Sequence, residues 1–159
     1  MNRPELVAAL AAALRARRWR LATAESCTGG MVAASLTDVA GSSDVFDRGF
    51  VTYSNAAKIA MLGVSQATLD TYGAVSEQVA LEMVMGALAR STAQLAVSIT
   101  GIAGPGGSEV KPEGRVCFGV LRKGHDAITE TIEFGALGRD EVRRAARDRA
   151  LELLSQALG

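Results

Sequence analysis

The chain has 159 residues, which is enough to bury a hydrophobic core without support from disulfides or a bound metal. Its 17 basic residues balance its 17 acidic ones and only 4% of its residues are aromatic, so neither bulk charge nor a base-stacking surface suggests a nucleic-acid partner. Its two cysteines, Cys27 and Cys117, are too few and too far apart for a disulfide framework, which favours reduced thiols and a cytoplasmic protein.

The N-terminal segment predicts a helix from Pro4 to about Arg18. Proline suits the first turn of a helix, and arginines are favoured in the last turn. The segment contains a short apolar run, but basic residues follow it where a signal peptide would have its cleavage site, so we do not expect export. No apolar run approaches the length of about 18 residues that a membrane span needs, and we expect no membrane partner.

Strands and helices then alternate along the chain. Apolar patterns predict strands at residues 20–25, 47–54 and 94–100, and a hairpin over 115–134 that turns at 123–126. Helices are predicted at 28–39, where Thr28 is a candidate cap, at 55–62, at 76–91 and from about 139 to 157. The helix at 76–91 is capped by Ser76 and has Val79, Met83, Gly86 and Ala87 on one face. This order predicts an α/β layered fold with a mixed sheet.

Functional groups of such sheets collect in loops at the strand ends. Three loops stand out here: one at Ser26, one at 53–58 and one at 100–107. The stretch GIAGPGGS (101–108) is close to a phosphate-binding motif, but Gly107 stands where that motif has its lysine, so we exclude a nucleoside-triphosphate loop. A glycine-dense loop can still bring backbone N–H groups to an anion or a carbonyl oxygen, although a flexible connection fits the pattern equally well.

The inventory of catalytic side chains is small. His125 is the only histidine and lies in the predicted hairpin turn, which is a poor position for the base of a Ser-His-Asp triad. One histidine and two isolated cysteines also leave zinc without a ligand set, so we expect no metal.

Ser26 lies between a strand and a helix, where serine is ordinarily a turn former or cap. A nucleophilic serine needs a base, and a neutral lysine can serve. Lys58 falls in the first turn of a helix that Asn55 would cap, where the macrodipole disfavours a cation, and partial burial beside Tyr53 would lower its pKa further. A solvated lysine is the alternative. Cys27 is the rival nucleophile, although a buried packing role is more usual for such a cysteine.

Two arginines begin the last predicted helix. Arg139 and Arg143 are four residues apart, so they share a face, at the helix end that disfavours cations. Asp140 and Glu141 offset their charge, which makes a solvated face one interpretation. The other is that the arginines hold a phosphate or carboxylate.

Several sequence blocks together resemble the CinA C-terminal domain family. They are AESCTGG, GSSDVFDRGFVTYSNAAKIAMLGV, GAVSEQVALEM, SITGIAGPGG, KPEGRVCFGV and GRDEVRRAA, which span about Leu6 to Leu154. The family is associated with nicotinamide mononucleotide deamidase activity, and many members carry a larger N-terminal domain. The sequence does not include such an N-terminal domain, and in this respect it resembles the stand-alone form of the family. The resemblance implies that Ser26 is the nucleophile and that Tyr53 and Lys58 assist it.

The elements and the resemblance together predict a single-domain, three-layer α/β/α sandwich over residues 1–159, with a mixed, mostly parallel sheet and one hairpin. We expect an amidohydrolase that converts nicotinamide mononucleotide and water to nicotinic acid mononucleotide and ammonia, without cofactor or metal. A homo-oligomer is left open. The alternative is a catalytically weak nucleotide-binding regulatory domain. The candidate substrate-binding residues, including glycines whose N–H groups would hold an oxyanion, are Thr28, Gly29, Gly30, Thr100, Gly101, Arg139 and Arg143.

Overall fold

The computed structural model describes residues 1–108 and 110–159. The helices are α1 (Arg3–Arg17), α2 (Met31–Leu36), α3 (Asn55–Leu62), α4 (Gln66–Tyr72), α5 (Glu77–Ala89) and α6 (Arg139–Leu158). The strands are β1 (Leu21–Glu25), β2 (Phe46–Val51), β3 (Leu95–Gly101), β4 (Arg115–Arg122) and β5 (Ile128–Glu133). None of the helices in these ranges combines the length and apolar character required to span a membrane.

The five strands form one sheet in the order β2-β1-β3-β4-β5. β1 pairs in parallel with β2 and β3, whereas β4 is antiparallel to both β3 and β5. Four strands therefore run in the same direction and β4 alone among the described strands opposes them. The predicted mixed, mostly parallel sheet with one hairpin is confirmed.

Helices cover both faces of this sheet. On one face, α1, α2 and α6 pack on side chains such as Leu21, Val97 and Phe118. On the other, α3, α4 and α5 pack on small residues such as Ala22 and Ala96. Every side chain of β1 is buried, as expected for a strand covered on both faces. The α/β/α layering is confirmed.

The contact between α3 and α5 is unusually close. A Cβ atom added at Gly86 would lie 2.0 Å from the Leu62 carbonyl oxygen, so only glycine lets the end of α3 rest on the backbone of α5. The predicted buried face of α5 is confirmed, because its other members are also buried: Val79, Met83 and Ala87. This contact fixes α3, which carries Lys58.

Two helix starts differ from the prediction. α3 is capped by Ser54, whose hydroxyl accepts from the Ala57 N–H at 3.0 Å, so the prediction that Asn55 is the cap is wrong. α4 was not predicted, because Leu69 is its one buried residue and its pattern resembles a polar loop. Its start has a recognisable signal, since Ser65 accepts from the Thr68 N–H.

Candidate active site

A cavity of about 330 Å³ opens beside the carboxyl ends of β1 and β3. The three loops singled out in the sequence meet there: the turn at Ser26, the segment 53–58 and the glycine loop 100–107. The connection before α5 and the first residue of α6 complete the wall. Parallel strands end at the same edge of a sheet, which is why segments far apart in the chain converge at this point.

Ser26 follows β1 directly, and its main chain is held on both sides. Its N–H donates to the Ile99 carbonyl at 2.9 Å, and its carbonyl accepts from the Gly29 N–H at 3.0 Å. The residue is 8% exposed and lines the cavity. The hydroxyl is therefore presented from a fixed backbone to an enclosed space.

Lys58 is the largest fully buried side chain next to this serine, with 1% of its surface exposed. Its Nζ lies 3.0 Å from Ser26 Oγ and donates to the Thr52 carbonyl at 2.9 Å. Both partners are neutral, and burial lowers the pKa of the amine below its usual value. Its position in the first turn of α3 adds the unfavourable end of the helix dipole. These conditions favour the uncharged amine, which can accept a proton from the serine.

Cys27 also borders the cavity but is a poor nucleophile. It is buried, and burial raises the pKa of its thiol to about 12, so the thiol stays protonated near neutral pH. Its carbonyl accepts from Arg143 Nε at 3.0 Å. Cys117 is a free, buried cysteine on β4.

Tyr53 and Arg139 meet at the mouth of the cavity. Tyr53 is 59% exposed, and its hydroxyl accepts from the Arg139 guanidinium at 2.6 Å. The same guanidinium donates to the Gly104 carbonyl at 2.7 Å. Arg139 thus joins the segment before α3 to the glycine loop. Both of these partners are neutral, so they do not compensate its positive charge at the cavity opening.

Thr100 and Gly101 form the floor at the end of β3. The Thr100 hydroxyl donates to the Ala74 carbonyl at 2.8 Å and so fixes the connection before α5. A Cβ atom at Gly101 would lie 3.1 Å from Cys27 Sγ and 2.7 Å from Val116 Cγ2. Glycine is required here because two neighbouring segments approach its Cα.

The structure places the other predicted binding residues outside the cavity wall formed by the described residues. The Thr28 hydroxyl donates to Glu25 at 2.6 Å, and the Gly30 N–H donates to the same carboxylate at 3.2 Å. The Gly29 N–H is taken by the Ser26 carbonyl, and Arg143 holds the Cys27 carbonyl. Thr28 does not cap α2, since Gly30 occupies that position. These residues shape the turn that carries Ser26.

Two residues near Ser26 were not predicted from the sequence to belong to the site. Asn55 lines the cavity as the first residue of α3, and its place between Tyr53 and Lys58 was the available signal. Glu25 is fully buried beneath the Ser26 turn. A charged residue closing an apolar strand was the signal for it. Within residues 1–108 and 110–159, no group of three or more His, Cys, Asp or Glu side chains is arranged to hold a metal ion.

Comparison with known proteins is consistent along nearly the whole chain. The CinA C-terminal domain model matches residues 4–158. The nicotinamide-nucleotide amidohydrolase PncC of Enterobacter agglomerans is 54% identical over 143 residues, which are 89% of this chain and 87% of that one. PncC of Escherichia coli K12 is 54% identical over 145 residues, covering 91% of this chain and 87% of its own.

Solved structures agree with the fold. The competence/damage inducible protein CihA from Agrobacterium tumefaciens superposes with a TM-score of 0.94 at 48% identity, covering 98% of this chain and 94% of that chain. The competence damage-inducible protein A from Klebsiella pneumoniae gives a TM-score of 0.95 at 42% identity, covering 99% and 98%. The chain belongs to the CinA C-terminal domain family.

Proposed function

We propose that this protein hydrolyses the carboxamide of nicotinamide mononucleotide, giving nicotinic acid mononucleotide and ammonia. The observation that carries the proposal is the buried Lys58 amine 3.0 Å from the hydroxyl of Ser26, inside a cavity at the strand ends. The choice of substrate is supported by relatives named nicotinamide-nucleotide amidohydrolase, which are 54% identical over most of both chains.

In the first half of the reaction, Ser26 Oγ adds to the carboxamide carbon while the neutral amine of Lys58 takes the hydroxyl proton. The resulting ammonium group of Lys58 then donates a proton to the leaving nitrogen. The C–N bond breaks, ammonia departs, and the nicotinoyl group of the nucleotide remains esterified to Ser26 Oγ. The Thr52 carbonyl holds the amine in place through both transfers.

In the second half, water adds to the ester carbon and again gives its proton to Lys58. The ester C–O bond breaks, and the proton returns to Ser26 Oγ. Tyr53 lies at the cavity mouth, where its hydroxyl orients the bound substrate once the substrate phosphate has taken the Arg139 contact. These steps are carried by side-chain and main-chain groups of this chain together with water.

The oxyanion that forms in each half needs N–H donors. Of the three glycines considered from the sequence, Gly101 is the one in the cavity wall, whereas the N–H groups of Gly29 and Gly30 already donate to Ser26 and Glu25. We assign this role to the backbone at Gly101. The glycine loop that follows it lines the space that the rest of the nucleotide would fill.

Arg139 is the assigned phosphate ligand. Its guanidinium lies at the cavity mouth and is held by a phenol and a carbonyl, both of which a phosphate can outcompete because charge-assisted hydrogen bonds are stronger. Arg143 instead donates to the Cys27 carbonyl and so stabilises the turn that carries Ser26.

The test is ammonia release when the purified protein is mixed with nicotinamide mononucleotide in the presence of a metal chelator. Stoichiometric ammonia and nicotinic acid mononucleotide are expected. Binding of the nucleotide, measured by calorimetry, without ammonia release would contradict the proposal and favour a regulatory nucleotide-binding domain.

A further inference from the structure

Glu25 is a buried carboxylate that the proposed reaction does not use. It is the last residue of β1, it immediately precedes Ser26, and none of its surface is exposed. Burying a charge is costly unless hydrogen bonds compensate it. Its hydrogen-bond partners among the described residues are all neutral donors. Packing alone therefore does not explain an acidic side chain in this position.

The Glu25 carboxylate accepts four hydrogen bonds from residues that follow Ser26 in the chain. Oε1 accepts from the Thr28 hydroxyl at 2.6 Å, the Gly30 N–H at 3.2 Å and the Val32 N–H at 3.0 Å. Oε2 accepts from the Ala33 N–H at 3.0 Å. The first N–H groups of a helix have no partner within the helix, so this side chain satisfies the start of α2 and fastens it to the end of β1.

The main chain of Glu25 connects to the base as well. Its carbonyl accepts from the Thr52 N–H at 2.8 Å, and the Thr52 carbonyl in turn accepts from the Lys58 amine at 2.9 Å. Glu25 therefore lies at the junction between the turn that carries Ser26 and the segment that anchors Lys58.

We propose that Glu25 is a positioning residue that sets Ser26 Oγ at hydrogen-bond distance from the Lys58 amine by holding the start of α2 against the end of β1. The inference rests on the function proposed above. Glu25 lies outside the cavity wall, so its removal should impair the chemical step and spare substrate binding. A misplacement of about 1 Å in a reacting group can cost about 100-fold in rate.

The experiment compares Glu25→Gln with Glu77→Gln. Glutamine keeps one acceptor oxygen and similar volume but turns an NH₂ group toward N–H donors. Glu77 is a matched control, because it begins α5 and accepts from the hydroxyls of Thr129 and Thr131 at 2.8 and 2.7 Å, away from the cavity. Three quantities are measured in each variant: kcat, the Kd for nicotinamide mononucleotide, and the rate at which a fluorophosphonate labels Ser26.

Glu25→Gln should lower kcat and the labelling rate at least about tenfold while the Kd changes less than about threefold. Glu77→Gln should leave all three near their wild-type values. Unchanged kcat and labelling in Glu25→Gln, or equal losses of kcat and affinity, would overturn the proposal. The labelling rate needs no substrate, so it still decides the role of Glu25 if the wild-type protein releases no ammonia, an outcome that would count against the proposed function alone.

Discussion

Lys58 places an amine beside the Ser26 hydroxyl with 1% of its surface exposed, and this burial makes its pKa the property on which the proposed chemistry depends. Burial lowers the pKa from the ordinary value of 10.5. Between the lowered pKa and 10.5, the unfolded chain holds a proton on this amine that the native protein does not hold. The free energy of unfolding therefore rises with pH across that window, and falls as the pH drops through it.

Replacing this lysine should separate activity from stability. In Lys58→Met, a side chain of similar length lacks the amine, so kcat should fall at least about 100-fold, the scale of a lost general base. The same variant should keep its fold, because methionine fills a similar volume, so its Tm near neutral pH should stay within about 4 °C of the wild-type Tm. Lys123→Met, in the exposed hairpin turn, is the control and should match wild type in both measurements.

In the wild-type protein, kcat should rise with pH as Lys58 deprotonates and level off above its lowered pKa. A plateau reached only near pH 10.5 would show an ordinary solvated lysine. A kcat that Lys58→Met leaves intact would mean that another group accepts the serine proton.

Arg139 lies at the cavity mouth, where we propose that it binds the substrate phosphate. Arg139→Ala should raise KM for nicotinamide mononucleotide by at least about tenfold, because a charge-assisted contact to phosphate is lost. Slow cleavage of the phosphate-free riboside should hardly change. Arg144→Ala is the control, since Arg144 lies exposed on the same helix and pairs with Glu141. Equal damage to both substrates would make Arg139 structural or catalytic instead of a phosphate ligand.

At the level of elements, the packing of α3 on α5 decides where Lys58 lies. In an isolated helix, Gly86→Ala would be stabilising, since alanine is a better helix former than glycine by about 1 kcal/mol. The new Cβ would nevertheless lie 2.0 Å from the Leu62 carbonyl oxygen, and a backbone atom cannot move without shifting α3. Overpacking of this kind costs about 1–3 kcal/mol.

We therefore expect Gly86→Ala to lower the Tm by about 5 °C and to reduce kcat, as measured by thermal unfolding and ammonia release. Met85→Ala, on the exposed side of the same helix, is the matched control and should do neither. A higher Tm in Gly86→Ala would show that helix propensity outweighs the contact between α3 and α5.

For the whole molecule, the order of the strands along the chain and the layering could be predicted from the sequence. The strands over 20–25 and 94–100 and the cap at Ser76 were predictable because they depend on local patterns, and the structure confirms them. α4 was missed because its pattern contains a single buried residue. The convergence of the loops at 26, 53–58 and 100–107 followed from strand direction alone.

Side-chain directions in the Ser26 turn were not predictable in the same way. Thr28 and Gly30 were predicted to bind the substrate, but in the structure both donate hydrogen bonds to the Glu25 carboxylate. The direction of the Glu25 side chain, which decides this, cannot be read from the sequence pattern. Arg139 and Arg143 share a helix face, yet one reaches the cavity mouth and the other a carbonyl behind it. Such choices are made by hydrogen bonds between segments that periodicity does not reveal.

In the proposed reaction Ser26, and not the adjacent thiol, attacks the carboxamide. The most direct measurement is ammonia release from nicotinamide mononucleotide by Ser26→Ala and Cys27→Ala, side by side, with circular dichroism and nucleotide binding as controls for folding. We predict that Ser26→Ala binds the nucleotide but releases no ammonia above background, whereas Cys27→Ala retains turnover within about tenfold of wild type, because burial keeps the thiol protonated. Turnover by Ser26→Ala, with loss only in Cys27→Ala, would exclude Ser26 and make Cys27 the nucleophile.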